Sequence, residues 1–361
     1  MRTKLQKLYD RIYYGTEINY TNVWRVHWCR QALRKISVPS DFYRKFREKV
    51  VPYWRQYGIH VKPCWYKMTY YLTGEVDPRY IPDDIHHKYI VPYFDDVVDI
   101  RVLEDKNLHS LLLPNVKRPE TVFKRLRDGF WNDDFTPITR EEAYARCANP
   151  GRYIIKPSRD TGEGLDISFF SSEDGVEACE KLLRSYEGIE FIVQRAIVQH
   201  PALSYLNPTS VNTFRVVTMV KDGEVSILSA ILRIGGERSL LDNISRGGYQ
   251  AVIRPDGTLD KMAFTHRNNI QTHVDRTDAG VVFEGYQLPS WDLLCDTVKQ
   301  LALQLPHLKL LGWDLAVDEL GDVILIEYNS DFGQNQENCG PTFGERTEEI
   351  LDLVFHKKRG A

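Results

Sequence analysis

The stretch GWDLAVDELGDVILIEYNS, Gly312 to Ser330, constrains this chain more than any other. It reads as two strands, Leu311 to Val317 and Val323 to Asn329, rich in β-branched and aliphatic residues and joined by a turn containing Gly321. If Asp318 pairs with Val323, Asp314 falls opposite Glu327, and Asn329 follows on the same face, because strand side chains alternate with period two. Like charges opposite each other in an apolar hairpin destabilise it, and a hard divalent cation such as Mg²⁺ removes that penalty. A solvated acidic face is the competing reading, and a register shift of one residue would move the acids to different faces.

Arginines also interrupt apolar strands upstream. TFRVVTMV and EVSILSAILRI form an expected hairpin around Asp222 and Gly223, with Arg215 and Arg233 inside it. Buried arginines are rarely unpaired, so they serve either phosphate or carboxylate recognition or a structural bridge to the later acids. Earlier still, RYIIKP, the polar loop SRDTGEG, LDISFF, a helix capped by Ser172 and the strand EFIVQ make an α+β lid. Lys156 ends the first of these strands just before Gly162 and Gly164, a setting suited to phosphate. A mobile surface hairpin is the alternative there, and no Walker loop or dinucleotide fingerprint occurs anywhere.

The remainder bounds the class of protein. With 361 residues the chain is long enough for two or three lobes. Net charge is −3, which makes no general case for nucleic acid, but residues 1–60 carry thirteen Lys and Arg against four Asp and Glu. That region reads as helices, with stripes Leu5, Leu8, Tyr9, Ile12 and Phe42, Phe46, Val50, the second ended or kinked by Pro52. Trp24 and Trp28 share a helix face. Its basic surface either makes peripheral contact with an anionic membrane or acidic partner, or is simply solvated. Residues 61–117 read as mixed α/β, with VVDIRVLEDKNL a strand entering a helix and Lys106 at the junction either a phosphate contact or a surface lysine. Six scattered cysteines without a CxxC pair fit reduced thiols, and the absence of a signal peptide or an apolar span leads to the expectation of a cytoplasmic protein that is not integral to a membrane. Ser290 is expected to cap a helix with the stripe Trp291, Leu294, Cys295, Val298, Leu301, Ala302 and Leu305. The loop after Asn329 offers Asn335, Gln336 and Asn338 either for an acceptor or as plain loop polarity.

In chain order, IIKP, a glycine loop, IVQRAI, TFRVV, LRIG, LDNISRGG, GWDLAV and IEYNS resemble the ATP-grasp superfamily, and within it the sugar-transfer-associated branch, over about residues 100 to 345. The resemblance implies an α+β ATP-grasp fold, with a lid and a C-terminal lobe clasping ATP behind a helical N-terminal module. The expected parts are 1–60, the basic helical module; 61–117, an N-terminal α/β part; 118–193, the lid; and 194–361, the catalytic lobe. It implies that Lys106 and Lys156 hold phosphates with Gly162 and Gly164, and that Gln194, Arg195 and Ile197 belong to an adenine-binding hinge, with Gln194 where many members have Glu. Asp314, Glu327 and Asn329 match metal positions for two Mg²⁺ ions, with Mn²⁺ as a substitute, and Arg233 and Arg215 would steady an acyl phosphate. The implied reaction is ATP-dependent joining of a carboxylate to an amine, with a glycan carboxylate as the expected substrate. A kinase acting on a sugar hydroxyl, or a non-catalytic nucleotide-binding component of a glycan assembly complex, are the alternatives.

Overall fold

The computed structural model describes Leu33 and residues 36–159, 166–237, 239–267 and 270–355. The expectations for Leu5, Leu8, Tyr9, Ile12, Trp24, Trp28, Gly162 and Gly164 lie outside those residues. The chain divides into two compact units: one from Met1–Asp96, Arg267–Thr272 and Gly333–Ala361, the other from Val97–His266 and His273–Phe332.

The described part of the first unit is built on helices. Phe42, Phe46, Val50 and Trp54 bury one face of a run that passes through Pro52 without stopping. Pro52 lacks an N–H and its ring crowds the preceding turn, so an α-helix should kink there. The chain instead widens into a π-helical turn at Phe46–Val50, with the Val51 N–H donating to the Phe46 carbonyl. The same device recurs at His86–Ile90 ahead of Pro92. An 11-residue helix, Pro63–Thr73, opens the stretch read as mixed α/β. The Gln334 and Gln336 carboxamides turn inward, exchanging hydrogen bonds with the Ile81 backbone and accepting from the Thr342 hydroxyl. Gln336, offered as an acceptor contact from sequence, is therefore 5% exposed and part of this unit's interior.

In the second unit VVDIRVL is a helix, Val97–Leu103, rather than a strand. Its β-branched residues suggested extended chain, but Ile100 and Leu103, three apart, pack on the unit's core, and that contact decides. With the short helices at Lys106–Leu108 and His109–Leu112 it leaves the described part of 61–117 helical, where α/β structure was expected. Six strands then form the lid sheet: β1 (Thr121–Leu126), β2 (Gly129–Trp131), β3 (Pro137–Ile138), β4 (Arg152–Pro157), β5 (Ser168–Ser171) and β6 (Phe191–Arg195), in the order β3-β2-β1-β6-β4-β5. Alternation along β4 and β6 sends Tyr153, Ile155, Phe191 and Val193 into the lid core and Ile154, Lys156, Ile192 and Gln194 to the other face. Ser172 is not the expected cap. Ser171 makes a capping box with Asp174 on a 3₁₀ turn, and helix Val176–Ser185 starts after Gly175.

The second sheet contains β7 (Thr213–Lys221), β8 (Glu224–Ile234), β9 (Tyr249–Ile253), β10 (Leu259–Arg267), β11 (Leu310–Val317) and β12 (Val323–Asn329), ordered β10-β9-β8-β7-β11-β12. The β7–β8 turn has Asp222 at φ 53° and Gly223 at φ 83°, the left-handed pair that a tight hairpin requires. Helix Trp291–Gln304 buries Trp291, Leu294, Val298, Leu301 and Ala302 against this sheet. Ser290, at φ 55°, does not cap it; its hydroxyl donates to the Gly321 carbonyl at 2.7 Å.

One irregularity positions the acidic hairpin. The turn pairs Val317 with Val323, not Asp318 with Val323, yet Asp314 still faces Glu327 because a bulge lies between Asp314 and Leu315 in the register. With that bulge Val323, Leu325 and Tyr328 all face the core although 325 and 328 differ in parity. Without it, Glu327 would share the apolar face of Val323 and Leu325. The bulge lets the strand bury its aliphatics and present Glu327 and Asn329 beside Asp314.

Candidate functional site

On that face a row of charged side chains crosses four strands. Glu327 on β12 lies opposite Asp314 on β11, Asp314 opposite Arg215 on β7, and Thr213, two residues before Arg215, opposite Arg233 on β8. The other face of the same strands carries Phe214, Val216, Leu232, Leu311, Trp313 and Leu315 into the core. The rigid apolar layer therefore fixes the polar one.

Asp314 is 4% exposed and forms a two-pronged pair with Arg215: Nε to Oδ1 at 2.6 Å and Nη2 to Oδ2 at 2.7 Å. Arg215 Nη1 also donates to the Phe332 carbonyl. Arg233 reaches Asp314 Oδ2 at 3.5 Å. The salt bridge weighed from sequence is thus present, and both arginines stand within reach of one carboxylate. Phe332 is held above Gly312, where an added Cβ would come 2.2 Å from the Phe332 Cβ. Gly312→Ala is expected to push Phe332 away and destabilise the protein by about 1–3 kcal/mol, the usual range for overpacking, read as a lowered Tm. An unchanged Tm would mean the loop after β12 yields freely.

Glu327 faces two lysines. Lys106 Nζ is 3.3 Å from its Oε2, and Asn329 Nδ2 is 3.4 Å from its Oε1. Burial pushes this carboxyl up, but Lys106, Lys156 and Arg215 outweigh burial and hold it well below the usual carboxylate range. Lys106 is 8% exposed, so it is no surface lysine. Its backbone N–H donates to the Ser158 carbonyl just beyond β4, while the Tyr328 hydroxyl donates to Leu103 and the Ser330 N–H to Glu104. Residues 103–106 therefore tie the lid strand to β12.

Lys156 is 4% exposed and its ammonium has no hydrogen-bond or ion-pair partner among the described residues. Burial lowers its pKa to about 8, with Lys106 adding to the fall and Glu327 and Asp314 opposing it. It lines a small polar cavity with Lys106, His109, Arg118, Asp133 and Gln194. His109 stacks on the Tyr328 ring at 4.6 Å, its Nε2 has no partner among the described residues, and burial together with Lys106 and Lys156 keeps it neutral, its pKa near 3. Sequence reading missed His109; the signal available was its spacing of three from Lys106 along a helical turn.

The hinge differs from expectation. Gln194 is buried, with Nε2 donating to the Pro119 carbonyl at 3.5 Å and Oε1 without a partner among the described residues. Arg195 turns away onto the lid, pairing with Glu120 and lying over the Tyr153 ring. The Arg195 and Ala196 N–H groups donate to Glu120 and Arg152, which leaves the Ile197 N–H without a partner among the described residues.

These residues suit an anionic, metal-bearing ligand. A buried ammonium with no contacting partner among the described residues calls for an anion, and Asp314, Glu327 and Asn329 offer hard oxygen donors. Although Arg215 engages both Asp314 oxygens and Arg233 also reaches Oδ2, Oδ1 keeps one of its two lone-pair sites for a cation. Among the described residues no group of three or more His, Cys, Asp or Glu could hold a metal by itself.

A lid sheet carrying Lys156 and a second antiparallel sheet carrying Asp314 and Glu327, with Lys106 on the helical turn beside them, define an ATP-grasp protein. The chain belongs to the sugar-transfer-associated ATP-grasp family, whose profile matches residues 85–339. No curated protein matches its sequence. Among solved structures it is similar to D-alanyl-alanine synthetase A from Vibrio cholerae O1 biovar eltor, at 15% identity and TM-score 0.42 over 72% of this chain and 65% of that one. It is also similar to the ATP-grasp ligase PsnB complexed with minimal precursor, at 13% identity and TM-score 0.40 over 72% and 64%. A third is biotin carboxylase from Campylobacter jejuni, at 11% identity and TM-score 0.41 over 70% and 46%. The chain spans less than two thirds of each of these proteins. Among the described residues no helix is long and apolar enough to cross a membrane.

Proposed function

We propose that this protein is an ATP- and Mg²⁺-dependent carboxylate–amine ligase whose carboxylate is borne by a sugar or glycan. The observation that carries this reading is the buried, unpaired Lys156 ammonium, set in one site with Lys106, Arg215, Arg233 and the Asp314–Glu327 pair. Lys156 and Lys106 would bind phosphate oxygens, and the Ile197 N–H the adenine. Mg²⁺ held by Asp314, Glu327 and Asn329 would neutralise charge on the transferring phosphoryl group. The substrate carboxylate oxygen attacks the γ-phosphorus, the bond to the ADP oxygen breaks, and an acyl phosphate forms. Arg233, with Arg215 behind it, faces the oxygens on which charge accumulates. Positioning and charge carry such a transfer, so no side-chain nucleophile is needed. The lid expected over 118–193 would close over the phosphates, because Lys156 stands on its inner face.

Calorimetric titration with a non-hydrolysable ATP analogue, with and without Mg²⁺, tests the reading. Binding strengthened by Mg²⁺ is expected. Binding under no condition would remove the ligase reading and favour a non-catalytic component of a glycan assembly complex.

A further inference from the structure

We propose that Asp242 is the amine-binding group of this site: its carboxylate holds the incoming nucleophile as a primary ammonium and takes one proton from it. The assignment rests on the ligase reading above. Asp242 lies in the loop Gly235 to Gly248, between β8 and β9, and one of its oxygens accepts from the Thr213 hydroxyl. No hydrogen bond from another described residue reaches its second oxygen. Thr213 is the register partner of Arg233, so Asp242 stands at the arginine end of the charged row. Thr213 on β7 stands two strand spacings from β12 and two residues along from the level of Glu327, roughly 12 Å in all, which is too far for Asp242 to share a cation with Glu327. Its place is on the acceptor side of the two arginines.

The loop holds the carboxylate firmly. An added Cβ at Gly236 would lie 2.6 Å from the Gly247 carbonyl, and one at Gly248 would lie 2.8 Å from the Asp242 and Asn243 carbonyls. Gly235 abuts the Ser210 hydroxyl in the same way, at 2.2 Å. The chain is folded back on itself without room for side chains, so Asp242 is preorganised rather than trailing in solvent. The charged groups facing it are Arg233, Arg215 and Asp314. Burial raises the Asp242 carboxyl, Asp314 adds to this, and Arg233 opposes it, leaving a carboxylate more basic than usual.

An amine arrives protonated at neutral pH and cannot attack until it loses a proton, whereas a hydroxyl acceptor carries no charge for a carboxylate to pair with. In the step proposed, the ammonium gives one proton to Asp242, and the freed nitrogen lone pair forms the C–N bond. The bond from the acyl carbon to the phosphate oxygen breaks, and phosphate departs with that electron pair and the second nitrogen proton. A free amide, a hydrogenphosphate and a protonated Asp242 result.

Asp242→Asn keeps the shape and still accepts from Thr213. The unaltered protein and the variant are supplied with Mg²⁺–ATP and a panel of D-glucuronate, D-galacturonate and amino acids as carboxylates. Hydroxylamine, largely uncharged at neutral pH, is compared with amino acids as nucleophile. Hydroxamate formation is expected to persist in the variant while kcat/KM for the amine falls about a hundredfold, the scale of a lost proton acceptor, and its pH optimum moves upward. Equal loss of both activities would make Asp242 a structural support of Thr213, and retention of both would make it irrelevant; either overturns the assignment. Hydroxamate from neither protein would overturn the ligase reading and this inference with it.

Discussion

Glu327→Gln is expected to lower ADP release by about 10²–10³-fold, the range for removing one charge-stabilising group, and to erase the increment in nucleotide affinity that Mg²⁺ supplies. The side chain keeps its shape and loses only its charge, so the effect isolates electrostatics. In the absence of Mg²⁺ the variant should bind the nucleotide as well as the unaltered protein or better, because the phosphates meet one carboxylate fewer beside Lys106 and Lys156. That opposite sign distinguishes loss of a metal ligand from general damage. Stability should fall as well, by about 1–3 kcal/mol: Glu327 balances three cations, but its side chain is 22% exposed and water can replace part of what is lost. Its carboxyl titrates lower in the folded than in the unfolded chain, so its stabilisation is full above the ordinary value of 4.5 and fades as pH falls through the folded value. The Tm difference between the two proteins should therefore shrink in acid. A Mg²⁺ increment that survives in the variant would remove Glu327 from the metal site.

The charged row was largely legible because charges inside apolar strands are rare enough to stand out. Arg215, Arg233, Asp314 and Glu327 could each be marked from sequence, and the structure brings all four together. The bulge that makes this work was not legible. VILIEYN is nearly continuous in apolar residues, so its pattern cannot say where parity changes, and the assumed register met the right pairing through a different turn. The β1–β2 hairpin was missed for the converse reason. Its Lys124 reads as solvent-facing, yet it is wholly buried, donating to the Ser110 hydroxyl at 2.6 Å and the Asp133 carbonyl at 2.8 Å. The Asp128–Gly129 step was a usable turn signal there. Arg195 shows the limit of position along a motif: its neighbour Gln194 faces the cavity, and alternation alone sends Arg195 to the opposite side of the lid.

Lys156 yields the second large effect, a pH dependence of nucleotide affinity with a fixed sign. In the ligand-free protein burial holds its pKa at about 8, below the ordinary 10.5, so above pH 8 the ammonium is progressively lost. Bound phosphate supplies the missing counter-charge and returns the pKa toward its ordinary value. At pH well below 8 both states carry the proton and affinity is flat once the nucleotide's own terminal phosphate has ionised. Between about pH 8 and 10 the complex holds a proton that the free protein lacks, and affinity should fall by up to tenfold per pH unit. Titrations in two buffers of different ionisation enthalpy would show matching proton uptake. Stability of the ligand-free protein should move the other way: the unfolded chain binds the extra proton in that window, so the cost of the buried charge is relieved as pH rises. Lys156→Met should abolish the slope and lower affinity at neutral pH at least about tenfold, the scale of one charge-assisted contact. A flat profile in the unaltered protein, with no proton uptake, would mean that the phosphates do not reach Lys156, and the lid would then close over something else.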